Sequence, residues 1–163
     1  MVALELAIHD PERLGRVVAY GANYSPEGTQ FVESDQLPPF ERFIANYQRL
    51  SPEPARWDEL LEVLGALDAT APNYTEAELG SITVPVLILD GADEEFVKPE
   101  HTRRMAELIP GATLVLIPGT GHFAVFAKPA VFDQIVLDYL AGKAVAAPAT
   151  PTGATLGTGT PAP

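Results

Sequence analysis

From Val84 onward the chain alternates between two kinds of apolar pattern, and this alternation constrains its fold more than any other feature. Val86-Leu87-Ile88-Leu89 and Leu114-Val115-Leu116-Ile117 are uninterrupted apolar runs. Each is followed by a stretch with helical spacing, Pro99 to Ile109 and Pro129 to Leu140. A short run without polar interruption reads as a strand buried on both faces. Strands separated by helices are joined by crossovers, which places them parallel in one sheet. In open parallel sheets ligands bind beyond the carboxyl ends of the strands. The loops opened by Asp90 and Pro118 are therefore the place to look for chemistry.

The preceding residues extend the same α/β pattern. Val2 to Ile8 is apolar except for Glu5 and Glu5's neighbours carry no charge, so it reads as a buried helix, stopped at Asp10-Pro11 because proline cannot continue it. Val17-Val18-Ala19-Tyr20, closed by Gly21, reads as another strand buried on both faces, and residues Ala22 to Pro38 as loop. Phe40, Phe43, Ile44 and Tyr47, then Trp57, Leu60, Leu61, Leu64 and Leu67, recur at helical spacing on either side of Ser51-Pro52. These two amphipathic helices are expected to form a cap insertion over about residues 38–75, with Glu41, Glu53, Asp58, Glu59 and Glu62 on a solvated face. Residues 141–163 are rich in Ala, Pro, Thr and Gly, with Lys143 as the one charge. Such a tail has no periodic apolar face to offset its ordering entropy and is expected to be disordered. The expected architecture is thus three parallel strands flanked by helices, with a helical cap.

Charge and composition exclude several classes of function. Twenty-two acidic residues against 10 basic ones give a net charge of -12, which repels nucleic acid and acidic membrane surfaces. No apolar run approaches the roughly 20 residues that span a bilayer. The start, Met1-Val2-Ala3-Leu4-Glu5, lacks the basic segment of a signal peptide, so a cytoplasmic location is expected. The absence of cysteine removes disulfides, thiolate metal sites and thiol nucleophiles. His9, His101 and His122 lack metal-ligand spacing, so no metal is expected, and no cofactor is implied.

The two loops at the expected rim carry complementary chemistry. One reads Asp90-Gly91-Ala92-Asp93-Glu94-Glu95-Phe96-Val97, the other Pro118-Gly119-Thr120-Gly121-His122-Phe123. A carboxylate at one strand end and a histidine at the next suit nucleophilic catalysis. The acid fixes the imidazole tautomer, and the imidazole deprotonates a hydroxyl. His9 and His101, at helix ends, read as structural or exposed.

Ile82-Thr83-Val84-Pro85 through Asp90-Gly91, the helix opening Pro99-Glu100-His101-Thr102, and Leu108-Ile109-Pro110-Gly111-Ala112 through Gly121-His122-Phe123 together resemble the closing third of an α/β-hydrolase. His9-Asp10-Pro11-Glu12-Arg13-Leu14 and the cap resemble the same family, so the resemblance covers residues 1–140. It implies a hydrolase of esters or similar acyl substrates, with His122 as catalytic base. The family's acid sits three positions after the glycine that ends the preceding strand, which here is Glu94. The family more often has aspartate, and neighbouring Asp93 is the alternative after a small loop shift. Glu95 is expected to be solvated. Phe123, Phe126 and the cap aromatics are candidates for a substrate pocket or for the core.

The family also requires a nucleophile in a G-x-S-x-G elbow, and this sequence contains none. Its serines are Ser25, Ser34, Ser51 and Ser81, none of them flanked by glycines in that pattern, and Ser25 reads as a polar loop residue. Met1 to Ala7 resembles the helix that starts just after the elbow. A start assigned to an internal methionine, or a truncated gene, would produce such a sequence, and the fragment is expected to be inactive alone. The rival expectation is a non-catalytic interaction module. In that case the Val17 to Tyr20 strand lies at an unpaired edge and recruits a second copy or a complementing chain.

Overall fold

The structure, a computed structural model, describes residues 2–146. In chain order it contains α1 (Val2–His9), β1 (Val17–Tyr20), α2 (Phe40–Leu50), α3 (Trp57–Asp68), α4 (Glu76–Gly80), β2 (Val86–Gly91), α5 (Pro99–Leu108), β3 (Thr113–Ile117), α6 (Ala124–Ala127) and α7 (Pro129–Leu140). The three strands form one parallel sheet in the order β1-β2-β3. Val17 is paired with Val86 and Tyr20 with Leu89, while Gly91 is paired with Ile117. The carboxyl ends of all three strands therefore meet at one rim.

Strand periodicity divides the core into two halves. On β2, Val86 and Ile88 face one side and join Leu4 and Ala7 of α1, Met105 of α5, and Leu79, Ile82 and Ile109. Leu87 and Leu89 face the other side and join Val115 and Ile117 of β3, Ala124, and Ile135 and Tyr139 of α7. β2 is buried along its whole length, as its apolar run requires, because it has a neighbour on each edge and helices on each face. Removing such a side chain, as in Leu89→Ala, costs about 2–5 kcal/mol in comparable cores.

The outer elements depart from the sequence expectation in an informative way. β1 is not buried on both faces: Val17 and Ala19 are buried, but Val18 and Tyr20 are only partly covered, since β1 has a strand on one edge alone. α1 is not a buried helix either, because only Leu4 and Ala7 are enclosed and Val2 is exposed. α2 and α3 bury no residue completely. Their aromatic faces meet each other, with Trp57 against Phe40 and Tyr47 at ring distances of 5.7 and 5.3 Å.

Two short helices, α4 and α6, lack a periodic apolar signal in the sequence. α4 has a capping box in which Thr75 Oγ1 accepts from Glu78 N–H and the Thr75 N–H donates to the Glu78 carboxylate. α6 follows directly from the histidine loop. Of the tail expected to be disordered, 147–163 lies outside the described residues, and Val145 packs against the α7 side of the core.

Candidate active site

The site forms where the ends of β1, β2 and β3 converge. After β2 the chain turns so that the N–H groups of Ala92 and Asp93 donate to the carbonyls of Ile117 and Thr120, at 3.0 and 2.9 Å. These bonds tie the acid loop to the histidine loop. From the other side, Gln30 N–H donates to Phe96 O, Val32 N–H to Glu95 O and Lys98 N–H to Gly28 O. The Gln30 side chain also donates to Glu94 O. The segment between β1 and α2, read from sequence as loop, is thus a clasp on the acid loop, with a short helical turn at Pro26–Gly28.

His122 and Glu94 meet directly. Nδ1 of His122 lies 2.7 Å from Oε1 of Glu94, whose side chain is 2% exposed. The same oxygen accepts from the N–H groups of Phe96 and Val97 at 2.8 and 3.2 Å. Burial by itself pushes the Glu94 carboxyl up, but hydrogen bonding from His122 and from Asp90 outweighs it and holds the group below the usual carboxylate range. The alternative acid, Asp93, is exposed and contributes its backbone N–H to the turn.

Further groups fix the histidine loop, and the sequence reading did not identify them. Glu95, expected to be solvated, is 1% exposed, and its Oε2 accepts from the His122 N–H at 2.6 Å. It turns inward because Gly121 has no side chain: a Cβ at that position would collide with the Glu95 carboxylate. The hydroxyl of Tyr20, at the end of β1, donates to the His122 carbonyl. Gly21 has φ +53°, and a Cβ there would meet the His122 ring. Asp90, the last polar side chain on β2, is 1% exposed, and its Oδ1 accepts from the Gly91 N–H at 2.9 Å. Burial, then hydrogen bonding and charge repulsion from Glu94, raise the Asp90 carboxyl well above its ordinary range. An acid ending an all-apolar strand was the available signal for this residue.

Asp90, Glu94 and His122 each place a potential ligand atom within 4.8 Å of the other two. Ligand atoms around a tetrahedral ion stand about 3.3 Å apart, given metal–nitrogen bonds near 2.0 Å. The 2.7 Å contact between Nδ1 and Oε1 is a direct hydrogen bond with no room for an ion between them.

Beside His122 lies a cavity of about 960 Å³ whose lining includes the aromatic residues Phe31, Phe40, Phe43, Trp57, Phe96 and Phe123 together with Glu33. Phe96 and Phe123 stand 4.9 and 5.3 Å from the imidazole, ring to ring, and so join the cavity to the histidine. Phe126 is exposed and stacks on Phe123. His122 also lines a smaller cavity of about 290 Å³ with Gly21, Asn23 and Thr29. Ser25 is buried and lines neither cavity. His101 stacks on Tyr24 at 4.2 Å, and its Nδ1 lies 3.0 Å from Asn23 Oδ1. Among the described residues, no helix is long and apolar enough to cross a membrane.

Comparison with known proteins gives a consistent result. The model of the alpha/beta hydrolase family matches residues 3–135. The 2-hydroxy-6-oxononadienedioate/2-hydroxy-6-oxononatrienedioate hydrolase of Cupriavidus pinatubonensis is 26% identical over 166 residues, covering 85% of this chain and 57% of its own. RutD of Stutzerimonas stutzeri is 26% identical over 165 residues, covering 86% of this chain and 62% of its own. Among solved structures, a serine hydrolase involved in carbazole degradation (the CarC enzyme) superposes with a TM-score of 0.63 at 20% identity, covering 86% of this chain and 59% of that one. The chain thus spans less than two thirds of the length of these relatives. The family match over most of its length, with the parallel sheet and rim just described, shows that the chain belongs to the alpha/beta hydrolase family.

Proposed function

We propose that this chain supplies the acid–base part of a serine-type acyl hydrolase site, with His122 as general base and Glu94 as the acid that orients it. The observation that carries this reading is the 2.7 Å bond from His122 Nδ1 to a buried Glu94 carboxylate. With Nδ1–H donating to Glu94, Nε2 keeps its lone pair and can take a proton from an attacking hydroxyl. The imidazolium that results is stabilised by the Glu94 charge.

The attacking hydroxyl comes from outside these 163 residues, since none of the four serines stands in a glycine-flanked elbow. β1 has a neighbour on one edge, β2, and α1 packs against it. A strand leading into α1 by the usual right-handed crossover would pair with the open edge of β1 and bring an elbow to the same rim as His122. The substrate's acyl part would sit in the aromatic cavity. Glu33 is the one ionisable residue in that lining, so an uncharged, bulky acyl group is favoured over a carboxylate-bearing one.

The test is p-nitrophenyl ester hydrolysis and fluorophosphonate labelling of the 163-residue chain. Buffer-level turnover and no labelled serine are expected. Turnover that disappears in His122→Ala, or labelling of Ser25, Ser34, Ser51 or Ser81, would overturn the assignment of the nucleophile to another segment.

A further inference from the structure

Two buried carboxyls, Asp90 and Glu94, cluster with His122, a potential ligand atom of each lying within 4.8 Å of the others, and each has an oxygen that the described residues leave without a donor. Asp90 Oδ1 is occupied by the Gly91 N–H, and Glu94 Oε1 by His122, Phe96 and Val97. Asp90 Oδ2 and Glu94 Oε2 are buried and receive no N–H or hydroxyl from any described residue. An ionised carboxylate oxygen left in that condition is costly, and two adjacent ionised carboxyls are costlier still. Among the described residues no lysine or arginine forms an ion pair with either group. A single proton between the two orphaned oxygens satisfies both.

We propose that Asp90 is a positioning residue that keeps its proton at neutral pH and donates it from Oδ2 to Glu94 Oε2, so that the pair carries one charge, on Glu94. This assignment fits the hydrogen-bond supply. Oε1 of Glu94 has three donors, a set that suits a carboxylate, whereas Asp90 has only its neighbour's N–H. The opposite directions in which the two carboxyls are shifted support the same division. The other titratable groups around Asp90 are Tyr20 from β1, Glu95 from the acid loop and His122 from the histidine loop. Glu95 adds negative charge and so opposes ionisation of Asp90 as well. The consequence for the site is geometric: Glu94 is gripped at both oxygens, its plane is fixed, and the imidazole it holds is fixed with it.

The proposal takes Glu94 as the partner of His122, but its test reads titration and not turnover, so it stands or falls independently of where the nucleophile comes from. In the ¹³C-labelled chain, the side-chain carboxyl carbons of Asp90 and Glu94 are followed by NMR from about pH 1.5 to 10, a range that extends past ordinary carboxylate behaviour on both sides. Asp90 is expected to remain protonated at neutral pH while Glu94 stays ionised below the ordinary carboxylate range. An ionised Asp90 at pH 7 overturns the proposal from the wild-type chain alone. Two variants separate proton donation from space filling. Asp90→Asn keeps a donor facing Glu94 and is expected to leave the Glu94 midpoint in place. Asp90→Leu removes the donor and is expected to raise that midpoint by about 1–2 pH units, as loss of a hydrogen bond to a charged group does. A fall in the Glu94 midpoint in both variants would mean that Asp90 had been a neighbouring negative charge, and would refute the assignment.

Discussion

Tyr20 shows how a residue without its own chemistry sets the geometry of the site. Its hydroxyl donates to the carbonyl of His122, and Glu95 accepts from the N–H of the same residue, so the histidine backbone is held from both sides. Burial raises the Tyr20 hydroxyl above its ordinary value, which keeps it a donor across the working pH range. Tyr20→Phe keeps the ring packed edge-on against Phe132 and removes the hydroxyl, which besides donating to His122 O accepts from the Val125 N–H at 3.4 Å. The expected cost is about 1–2 kcal/mol, the range for a lost hydrogen bond that strands a partly buried acceptor. Urea denaturation measures it, and an unchanged midpoint would show that the bond contributes nothing. At this scale an acid loop and a histidine at successive strand ends were legible in the sequence, Glu94 came from the family resemblance with Asp93 as its alternative, and the structure brings Glu94 within hydrogen-bond distance of His122. The sequence did not reveal Tyr20, Asp90 or Glu95. Glu95 in particular lies in a run of acids that looks solvated, and only the space left by Gly121 brings it inside.

Elements were legible in proportion to how strongly their own residues determine them. β2 and β3 followed from their apolar runs, and α2, α3, α5 and α7 from helical spacing. α4 is five residues long, too short for periodicity to register, and its readable signal was instead the capping pair Thr75 and Glu78. That pair satisfies two otherwise unpaired groups at the helix start, and Thr75→Ala is expected to cost about 1 kcal/mol. Thermal unfolding compared with the wild-type chain checks this, and no change in midpoint would mean that α4 is held by Leu79 and its core contacts alone. The nearby Arg104–Glu76 pair is solvent-exposed and offers little in compensation. The misread burial of α1 and β1 has a different origin. Apolar content marks what an element can bury, whereas actual burial depends on neighbours, and β1 has a strand on one side only.

The described residues place helices on both faces of a three-stranded parallel sheet and gather Glu94, His122 and the aromatic cavity at one end of that sheet. Glu94 and His122 come from the loops that follow β2 and β3, 28 residues apart, and meet because parallel strands all end at the same rim. The aromatic cavity is assembled from the clasp, the cap and both rim loops, which is why no single sequence segment announced it. In the proposed site Glu94 presets His122 as a base with its lone pair on Nε2. Long-range ¹H–¹⁵N NMR of the imidazole, at a pH where the ring is neutral, tests this most directly. A proton on Nδ1 and an unprotonated Nε2 are expected in the wild-type chain, with the preference weakened in Glu94→Leu. A ring protonated on Nε2 in the wild-type chain would contradict it.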